Sequence, residues 1–485
     1  MWNIFYTETS SILNNAVDML KNSVNEFDKT SSQIISDFTQ DLFIGKNVIA
    51  IGTLASPLIA YLCKKVNLTT PVCNESYTVY VDVNPFDDKY NLAIIVGYCY
   101  KGALNGVADF TNKYLGKVVS KPKKGGRLER KSFRDSRLTT YVPKYLNTAS
   151  PKADNRAIWT WGHVIYDYKN FFINMAKLRL NEIVIWNDFV PKNAVDIVNF
   201  AHSYGIKVIW GYSWGWVDNM KDADPIDLND PKCLEKFKKE ILLKYETEYL
   251  PTGGDGVYFQ SFTETSSDSK DGKIIAQAVT EWVNAIASDV LAKYPTLKLQ
   301  FGLHADSVKN RLEYIKNVDK RIEIIWENCG AFPQSYDSDD VLEFDDTVNF
   351  TKQISVLRGQ EDKFGYVVKS MCLLDWELFK HQQGSYIMGE ADKDFIKNYS
   401  TLRDQTWRVI QSYWLKNYAY VYRYLDETTS FKKGKINVQA LVEDGVFEYR
   451  VPFAPVLYSM CLWDDVKSAE DAFLDSVTYR CVVFS

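Results

Sequence analysis

Acidic side chains close several short, largely apolar segments in the middle of the chain. Glu264 ends the segment 257–264, Glu327 ends the segment 324–327, and Asp375 follows two leucines. Hydrolysis of a glycosidic bond generally uses two carboxyl groups, one as the acid and the other as the base or nucleophile. These three residues are therefore the candidate catalytic groups, with Glu264 as the general acid and Glu327 or Asp375 as the second carboxylate.

Aromatic residues accompany the same segment ends. A sugar offers C–H faces on which aromatic rings stack, and hydroxyl groups that amides, histidines and carboxylates bind. The predicted substrate-binding residues are Trp161, His163, Trp186, Asn187, Asp188, Tyr212, Trp214, Trp216, Gln260, His304, Trp326 and Trp376. Trp210, in the same aromatic run as Tyr212, is assigned to the core instead. Asp188 could also cap a turn before Pro191, and each histidine taken alone could be structural.

Strand-like and helix-like patterns alternate from residue 155 onward, and these elements must position the candidate residues. Buried parallel strands are apolar runs of four to eight residues. Their alternation with helices is typical of a parallel sheet with helical crossovers. Strands are predicted near 156–160, 182–187, 207–211, 256–263, 297–303, 322–327, 365–374 and 385–389. Eight such strands predict a (β/α)8 TIM barrel, in which the C-terminal ends of the strands meet at the active-site mouth.

Each candidate carboxylate also has a structural interpretation that the sequence leaves open. Glu264 lies between two threonines and could cap a helix. Glu327 ends a buried strand, where a charged group needs a partner or a function, and it could form a salt bridge with a barrel arginine. Asp375 could cap the helix that follows it.

The chain outside the barrel divides into three parts. An N-terminal helix and a small α/β domain are predicted for 1–118, with 1–40 helical, and a basic linker for 119–152. The barrel itself is predicted for 153–425, and a C-terminal helical extension for 426–485. The basic stretch 121–137 is interpreted as a solvated linker, although it could also bind an acidic polymer.

Composition indicates a folded protein that does not associate with nucleic acid or membranes. The chain has 46% hydrophobic and 25% charged residues and a formal net charge of −5, which gives no general attraction to polyanions. Its most hydrophobic stretch, 47–63, is interrupted by Gly52 and Pro57, and its start lacks the pattern of a secretory signal. The eight cysteines show no CxxC spacing. We therefore expect reduced thiols, no metal or cofactor, a cytoplasmic location and a carbohydrate partner, with a homodimer left open.

Two segments resemble known glycoside hydrolases. Residues 179–188 are similar to the second barrel strand of family 20 β-hexosaminidases, and 194–209 resemble the helix and third strand that follow it. Residues 49–52 and 97–106 look like the small α/β domain that precedes the barrel in hexosaminidases and α-glucuronidases. The resemblance spans about 45–330 and implies a TIM-barrel glycosidase.

The sequence departs from family 20 at one important place. Those enzymes carry an adjacent Asp-Glu pair after the fourth strand, in which the aspartate steers the substrate's acetamido group and the glutamate is the acid. Here the pair position reads Thr263-Glu264. The resemblance implies that Glu264 donates the proton. Because the steering aspartate is missing, we expect a uronic acid to be as good a candidate substrate as an N-acetylhexosamine.

The sequence therefore predicts a glycoside hydrolase that cleaves a terminal sugar by carboxylate acid/base catalysis at the C-terminal face of a barrel. The alternative is a catalytically inactive carbohydrate-binding protein on a glycosidase scaffold. The missing aspartate before Glu264 favours that alternative.

Overall fold

A computed structural model describes most of the chain. The described residues are 1–122, 128–130, 142–187, 189–214, 227, 229–261, 268–270, 272–304, 311–327, 344–373, 384–432, 435–445 and 447–483. Five of the predicted site residues lie outside these ranges: Asp188, Trp216, Glu264, Asp375 and Trp376.

A six-stranded mixed sheet forms the N-terminal domain. The strands in this part of the chain are β1 (Trp2–Tyr6), β2 (Thr30–Ile34), β3 (Asn47–Thr53), β4 (Tyr77–Val83), β5 (Asn91–Gly97), β6 (Ser120–Pro122), β7 (Leu128–Arg130) and β8 (Tyr145–Ala149). The sheet order is β2-β1-β3-β5-β4-β8, and β6 and β7 form a separate hairpin. The helices are α1 (Ser11–Asn25), α2 (Pro57–Lys65), α3 (Tyr100–Ala108) and α4 (Leu115–Val119).

The helical prediction for 1–40 holds only for α1. The Ser10 side chain caps this helix by accepting from the Leu13 amide at 3.0 Å, and apolar residues spaced three or four apart are buried along one face. On either side of it, β1 and β2 are strands. The buried apolar run of β1 pairs in parallel with both β2 and β3, so pairing within the sheet outweighs the helical pattern around it.

Eight parallel strands close into a barrel, which confirms the predicted fold class. They are β9 (Asn155–Trp161), β10 (Glu182–Trp186), β11 (Lys207–Gly211), β12 (Gly256–Phe259), β15 (Lys298–His304), β16 (Ile322–Glu327), β17 (Phe364–Met371) and β18 (Ile436–Val442). A hairpin of β13 (Ser269–Lys270) and β14 (Lys273–Ile274) follows β12.

Helices connect the barrel strands, and two further helices follow the last strand. Between successive strands lie α5 (Tyr168–Lys177), α6 (Ala194–Ser203), α7 (Pro231–Lys244), α8 (Ile275–Lys293), α9 (Leu312–Ile315) and α10 (Phe344–Ser355). Before the last strand come α11 (Lys393–Leu402), α12 (Asp404–Lys416) and α13 (Tyr418–Ser430), and after it α14 (Phe453–Cys461) and α15 (Ala469–Thr478). Within the described part of the chain, none of the helices combines the length and the apolar character that crossing a bilayer requires.

The predicted eighth strand, 385–389, is wrong. This segment packs beside the first two strands, where the Asn193 side chain bonds the backbone amide and carbonyl of Met388 at 3.0 and 2.9 Å. The strand that closes the barrel is β18, which pairs with β17 and β9 and is buried along its whole length. This strand lies in the segment 426–485, which was predicted as a helical extension. The prediction failed there because the three helices α11–α13 separate β18 from β17 along the chain.

A buried ion pair joins the N-terminal domain to the barrel. Arg156 on β9 donates to the carboxylate of Glu75, and the Asn181 amide donates to its two oxygens at 3.0 and 3.1 Å. Burial would raise the pKa of Glu75, but the neighbouring cations, first of all Arg156, hold it below its ordinary value. The Trp463 ring lies 4.9 Å from the Arg156 guanidinium and 4.6 Å from that of Arg179, so the C-terminal segment completes the same junction.

Replacing Glu75 by glutamine should destabilise the protein strongly. The change leaves the buried Arg156 charge without its counter-charge, a loss that costs about 3–5 kcal/mol in buried pairs. Urea unfolding of Glu75→Gln beside Glu248→Gln measures the effect. The Lys244–Glu248 pair is partly exposed at 3.1 Å, and a pair of that kind contributes about 0.3–0.5 kcal/mol. Equal losses in both variants would contradict this role of Glu75.

Candidate active site

Strand alternation decides which of the candidate residues face the barrel lumen. Successive side chains of a strand point to opposite faces of the sheet. Glu327 on β16 contacts side chains of neighbouring barrel strands inside the lumen, so Trp326 beside it faces outward. The Trp326 ring packs against Phe350 of α10, with ring centroids 5.1 Å apart. The prediction that Trp326 binds substrate is therefore wrong.

The carboxylate of Glu327 is the centre of a group of polar side chains at the mouth. Its Oε1 accepts from the Tyr258 hydroxyl at 2.6 Å and from the Gln260 side-chain amide. Its Oε2 lies 3.1 Å from Nε2 of His304 and 2.8 Å from Nζ of Lys369. These side chains come from β12 and the residue after it, from β15, from β16 and from β17. Four consecutive strands are thus joined through one carboxylate at their C-terminal ends.

The surroundings of Glu327 keep this carboxyl group ionised. Burial by itself would raise its pKa, but Lys369 and His304 more than reverse that effect and hold the pKa well below its ordinary value. An ionised carboxylate can act as a base, as a nucleophile or as an electrostatic stabiliser, but it cannot donate a proton. The salt bridge that the sequence left open does exist, with Lys369 and His304 in the place of an arginine.

A glycine makes room for this arrangement. A Cβ atom at Gly302, on β15, would lie 2.7 Å from Oε1 of Glu327 and would collide with the Tyr258 hydroxyl. Glycine inside a strand often marks a close approach of other groups. Gly302 therefore permits the hydrogen bond between Tyr258 and Glu327.

Aromatic rings enclose the same region of the lumen. The rings of Trp159 and Trp186 lie 5.9 and 6.0 Å from that of Tyr258, and Trp161 meets Trp159 edge-on at 4.8 Å. Trp161 and Trp186 each expose only 3% of their surface. These rings line the site with apolar surface, which strengthens the electrostatic interactions of Glu327.

Two predicted aromatic contacts are wrong for the same reason as Trp326. Tyr212 stacks on Tyr249 at 4.5 Å, and Trp214 stacks on Phe259 at 3.7 Å, with each predicted residue 1% exposed. Phe259 is adjacent to Tyr258, which faces the lumen, so the stack on Phe259 lies outside the ring of strands. Trp210 is confirmed as core, since its indole nitrogen donates to the Thr252 hydroxyl at 2.9 Å inside the fold.

The remaining described candidates lie at the rim of the barrel. Gln260 and His304 contact Glu327, as described above. Asn187 directly follows β10, and His163 lies in the short helix after β9, with its ring 6.2 Å from that of Trp161. Within the described ranges, no group of three or more His, Cys, Asp or Glu side chains is arranged to hold a metal ion.

Sequence reasoning missed Tyr258 and Lys369. Lys369 interrupts the buried apolar run of β17. Because a buried charge requires a partner, this lysine in the sequence could have indicated an ion pair with a buried acid such as Glu327. Tyr258 is two residues before Gln260 and so shares its face of the strand. Glu443, after the unpredicted strand β18, accepts from the Leu373 amide at 2.8 Å and pairs with Arg403 at 2.8 Å.

Several known structures resemble this architecture, although their sequences are only remotely similar to this one. A family 115 4-O-methyl-α-glucuronidase with specificity for decorated arabinogalactans is 11% identical, with a TM-score of 0.49, over 95% of this chain and 56% of that one. A family 20 exo-β-N-acetylglucosaminidase from Vibrio harveyi is 10% identical, with a TM-score of 0.44, over 89% of this chain and 70% of that one. A family 20 β-N-acetylhexosaminidase from Streptomyces coelicolor A3(2) is 8% identical, with a TM-score of 0.47, over 100% and 93%.

The remote resemblance to hexosaminidases and α-glucuronidases expected from the sequence is thus found between the structures as well. The chain spans 56% of the length of the glucuronidase. No family model matches the chain, and no curated protein matches it significantly in sequence. Structural similarity at this level does not show that two proteins share an activity. The function of this protein therefore has to be inferred from the residues of its own site.

The ion pairs of Glu327 should make stability depend on pH in one direction. The pKa in the folded state lies below the ordinary value of 4.5, so the stabilisation is fully present above that pH and is lost as the pH falls through the folded-state pKa. We expect the stability difference between wild type and Glu327→Gln to be largest above about pH 5 and to shrink towards about pH 3. Urea unfolding at a series of pH values measures it. A difference that stays constant or grows on acidification would contradict the ionised state of Glu327.

Proposed function

We propose that this protein is a glycoside hydrolase that cleaves a terminal sugar, of the N-acetylhexosamine or uronic acid type, by carboxylate chemistry. The observation that carries the proposal is the ionised Glu327 at the C-terminal end of β16, facing an aromatic-lined lumen. TIM-barrel enzymes place their catalytic groups at this end of the strands. The distant glycosidase structures agree with the proposal in fold alone.

Glu327 fits the part of the base or nucleophile in such a reaction. Its negative charge faces the site at neutral pH. That charge would stabilise the positive charge that develops at the anomeric carbon in an oxocarbenium-like transition state. The Tyr258 hydroxyl and the Gln260 amide fix its orientation through Oε1. Held in this way, the carboxylate needs no rearrangement when the substrate binds.

The proton donor must then be a different group. We propose Glu264, four residues after Gln260 in the sequence, for this role, which requires a carboxyl group with a raised pKa. Asp375, which follows β17 in the sequence, is the alternative to Glu327 as the second carboxylate. His304 and Lys369 lie beside Glu327 and are placed to bind sugar hydroxyls or the carboxylate of a uronic acid.

A carbohydrate-binding protein without turnover is the second candidate. The four partners of Glu327 favour it, because a carboxylate that serves only to hold strands together would have the same contacts. The absence of an aspartate before Glu264 favours it too. The two candidates differ in whether a bound sugar is cleaved.

Hydrolysis of a panel of nitrophenyl glycosides tests the proposal. The panel contains N-acetylhexosaminides, hexosides and glucuronides, and the proteins are wild type, Glu264→Gln and Glu327→Gln. Loss of an acid or base group typically lowers the rate about 10²–10⁴-fold, so we expect both variants to be nearly inactive on the sugar that wild type cleaves.

Glu182→Gln is the matched control for these variants. Glu182 is a buried glutamate of the same lumen at the opposite ends of the strands, where its carboxylate accepts from Gln300 at 3.0 Å. Turnover should survive in this variant. Undiminished turnover by Glu327→Gln would exclude Glu327 as a catalytic group. Binding of a sugar by wild type and both variants, with no cleavage of any glycoside, would identify the binding protein instead.

A further inference from the structure

The lumen of the barrel is polar at its base, the end formed by the N-terminal ends of the strands. Interior layers of such barrels are usually filled by bulky branched residues. Here five buried polar side chains, which we call the basal group, occupy the base: Glu182 on β10, Gln300 on β15, Glu323 on β16, and Asn437 and Gln439 on β18. Glu182 contacts Gln300 across the lumen, since β11 and β12 lie between their two strands in the barrel.

One side-chain amide joins the two carboxyl groups of the basal group. The Nδ2 atom of Asn437 donates to Oε1 of Glu182 at 2.8 Å and lies 3.4 Å from Oε2 of Glu323. The two carboxyl groups are therefore neighbours around a single nitrogen atom. Two buried carboxylates this close repel each other, and the repulsion favours the binding of a proton to one of them.

The basal group is also short of hydrogen-bond donors. Nε2 of Gln300 donates to Oε1 of Glu182 at 3.0 Å, and Nε2 of Gln439 donates to Oε1 of Gln300 at 3.0 Å. Since Glu182 accepts at the end of this chain, the orientation of both amides is fixed. Three buried oxygen atoms then have no donor within the described residues: Oε2 of Glu182, Oδ1 of Asn437 and Oε1 of Gln439. A proton on a carboxyl group is the donor that the basal group lacks.

The charges around Glu323 set the pH at which such a proton leaves. Burial and the charge of Glu182 raise the pKa of Glu323 to about 7, while Lys363 and Lys298 act in the opposite direction. The two lysines therefore do not offset the cost of holding both carboxylates in the base. The other charged or titratable side chains that face these residues are Arg358, Lys207 and Tyr458.

We propose that Glu182 and Glu323 hold one proton between them at slightly acidic pH, and that the loss of this proton loosens the base of the barrel. The proton removes the repulsion between the two carboxyl groups and adds a hydrogen-bond donor. When it leaves, two like charges remain beside β18, the strand that closes the barrel. The basal group is thus a pH-sensitive device at the end of the barrel opposite the mouth, and it does not depend on the proposed function.

Stability should therefore fall as the pH rises. The ordinary pKa of Glu323 is 4.5, so the stabilisation by its proton is fully present below that pH and is lost as the pH rises to about 7. The ratio of the unfolding constants of wild type and Glu323→Gln should rise about tenfold per pH unit in this window and level off above it. Urea unfolding of both proteins at a series of pH values measures the ratio. Glu448 and Lys101, whose pKa values are also about 7, are present in both proteins, so their effects cancel.

Glu182→Gln is the second variant, because it removes the other charge of the pair. It should flatten the pH dependence as well. The double variant of Glu182→Gln and Glu323→Gln should gain little more at about pH 8, since the repulsion requires both carboxylates. Glu248→Gln serves as the control, because it removes a glutamate whose side chain is 40% exposed, and it should show no comparable slope.

Three results would overturn this proposal. A ratio for Glu323→Gln that does not change with pH would mean that both carboxylates are ionised in the folded protein and are neutralised by their lysines. Additive effects of the two substitutions in the double variant would mean that the carboxyl groups do not share a proton. A wild-type stability that rises when Na⁺ or K⁺ replaces choline at constant ionic strength would place a cation, instead of a proton, among the oxygen atoms.

Discussion

The pairing of Glu327 with Lys369 and His304 is the interaction on which the mouth of the barrel depends. It neutralises a buried charge that would otherwise be too costly, and it links the C-terminal ends of β15, β16 and β17. Tyr258 and Gln260 extend the link to β12 through the other carboxylate oxygen. The glycine at 302 is required for the same reason, because no side chain fits between Tyr258 and Glu327.

The same interaction limits the chemistry that the site can perform. A carboxyl group with a strongly lowered pKa stays ionised, whereas a proton donor needs a raised pKa. The two functions must therefore lie on different residues, in different surroundings. The aromatic rings of Trp159, Trp186 and Tyr258 make the lumen apolar, so the effect of each neighbouring charge is large.

The sequence predicted where residues lie along the barrel axis better than it predicted which way they face. Apolar runs located seven of the eight strands, and the ends of those strands correctly brought Glu327, Gln260 and His304 together. Trp326 and Trp214 were placed at the mouth because they end such runs, but strand alternation turns both of them outward.

The remaining errors concern a strand whose pairing partner lies far away in the sequence. The short apolar segment 385–389 lay where an eighth strand was expected, and the true strand β18 follows only after three helices. Pairing with β9, almost three hundred residues earlier, selects β18, and no local pattern shows that pairing. Glu443 was missed along with that strand. Asn187 was assigned to the substrate site because it directly follows a predicted strand, and that assignment stays a prediction.

Carbon-13 NMR of protein labelled at the glutamate carboxyl carbons tests the central claim most directly. The Glu327 resonance is assigned by its absence in Glu327→Gln and is followed between pH 3 and 7, with and without N-acetylglucosamine, glucuronic acid and glucose. Our account predicts a signal that stays at the carboxylate position below the ordinary pKa of 4.5 and that shifts when one of these sugars binds. A signal that titrates at or above that pH, or that responds to none of the sugars, would contradict it.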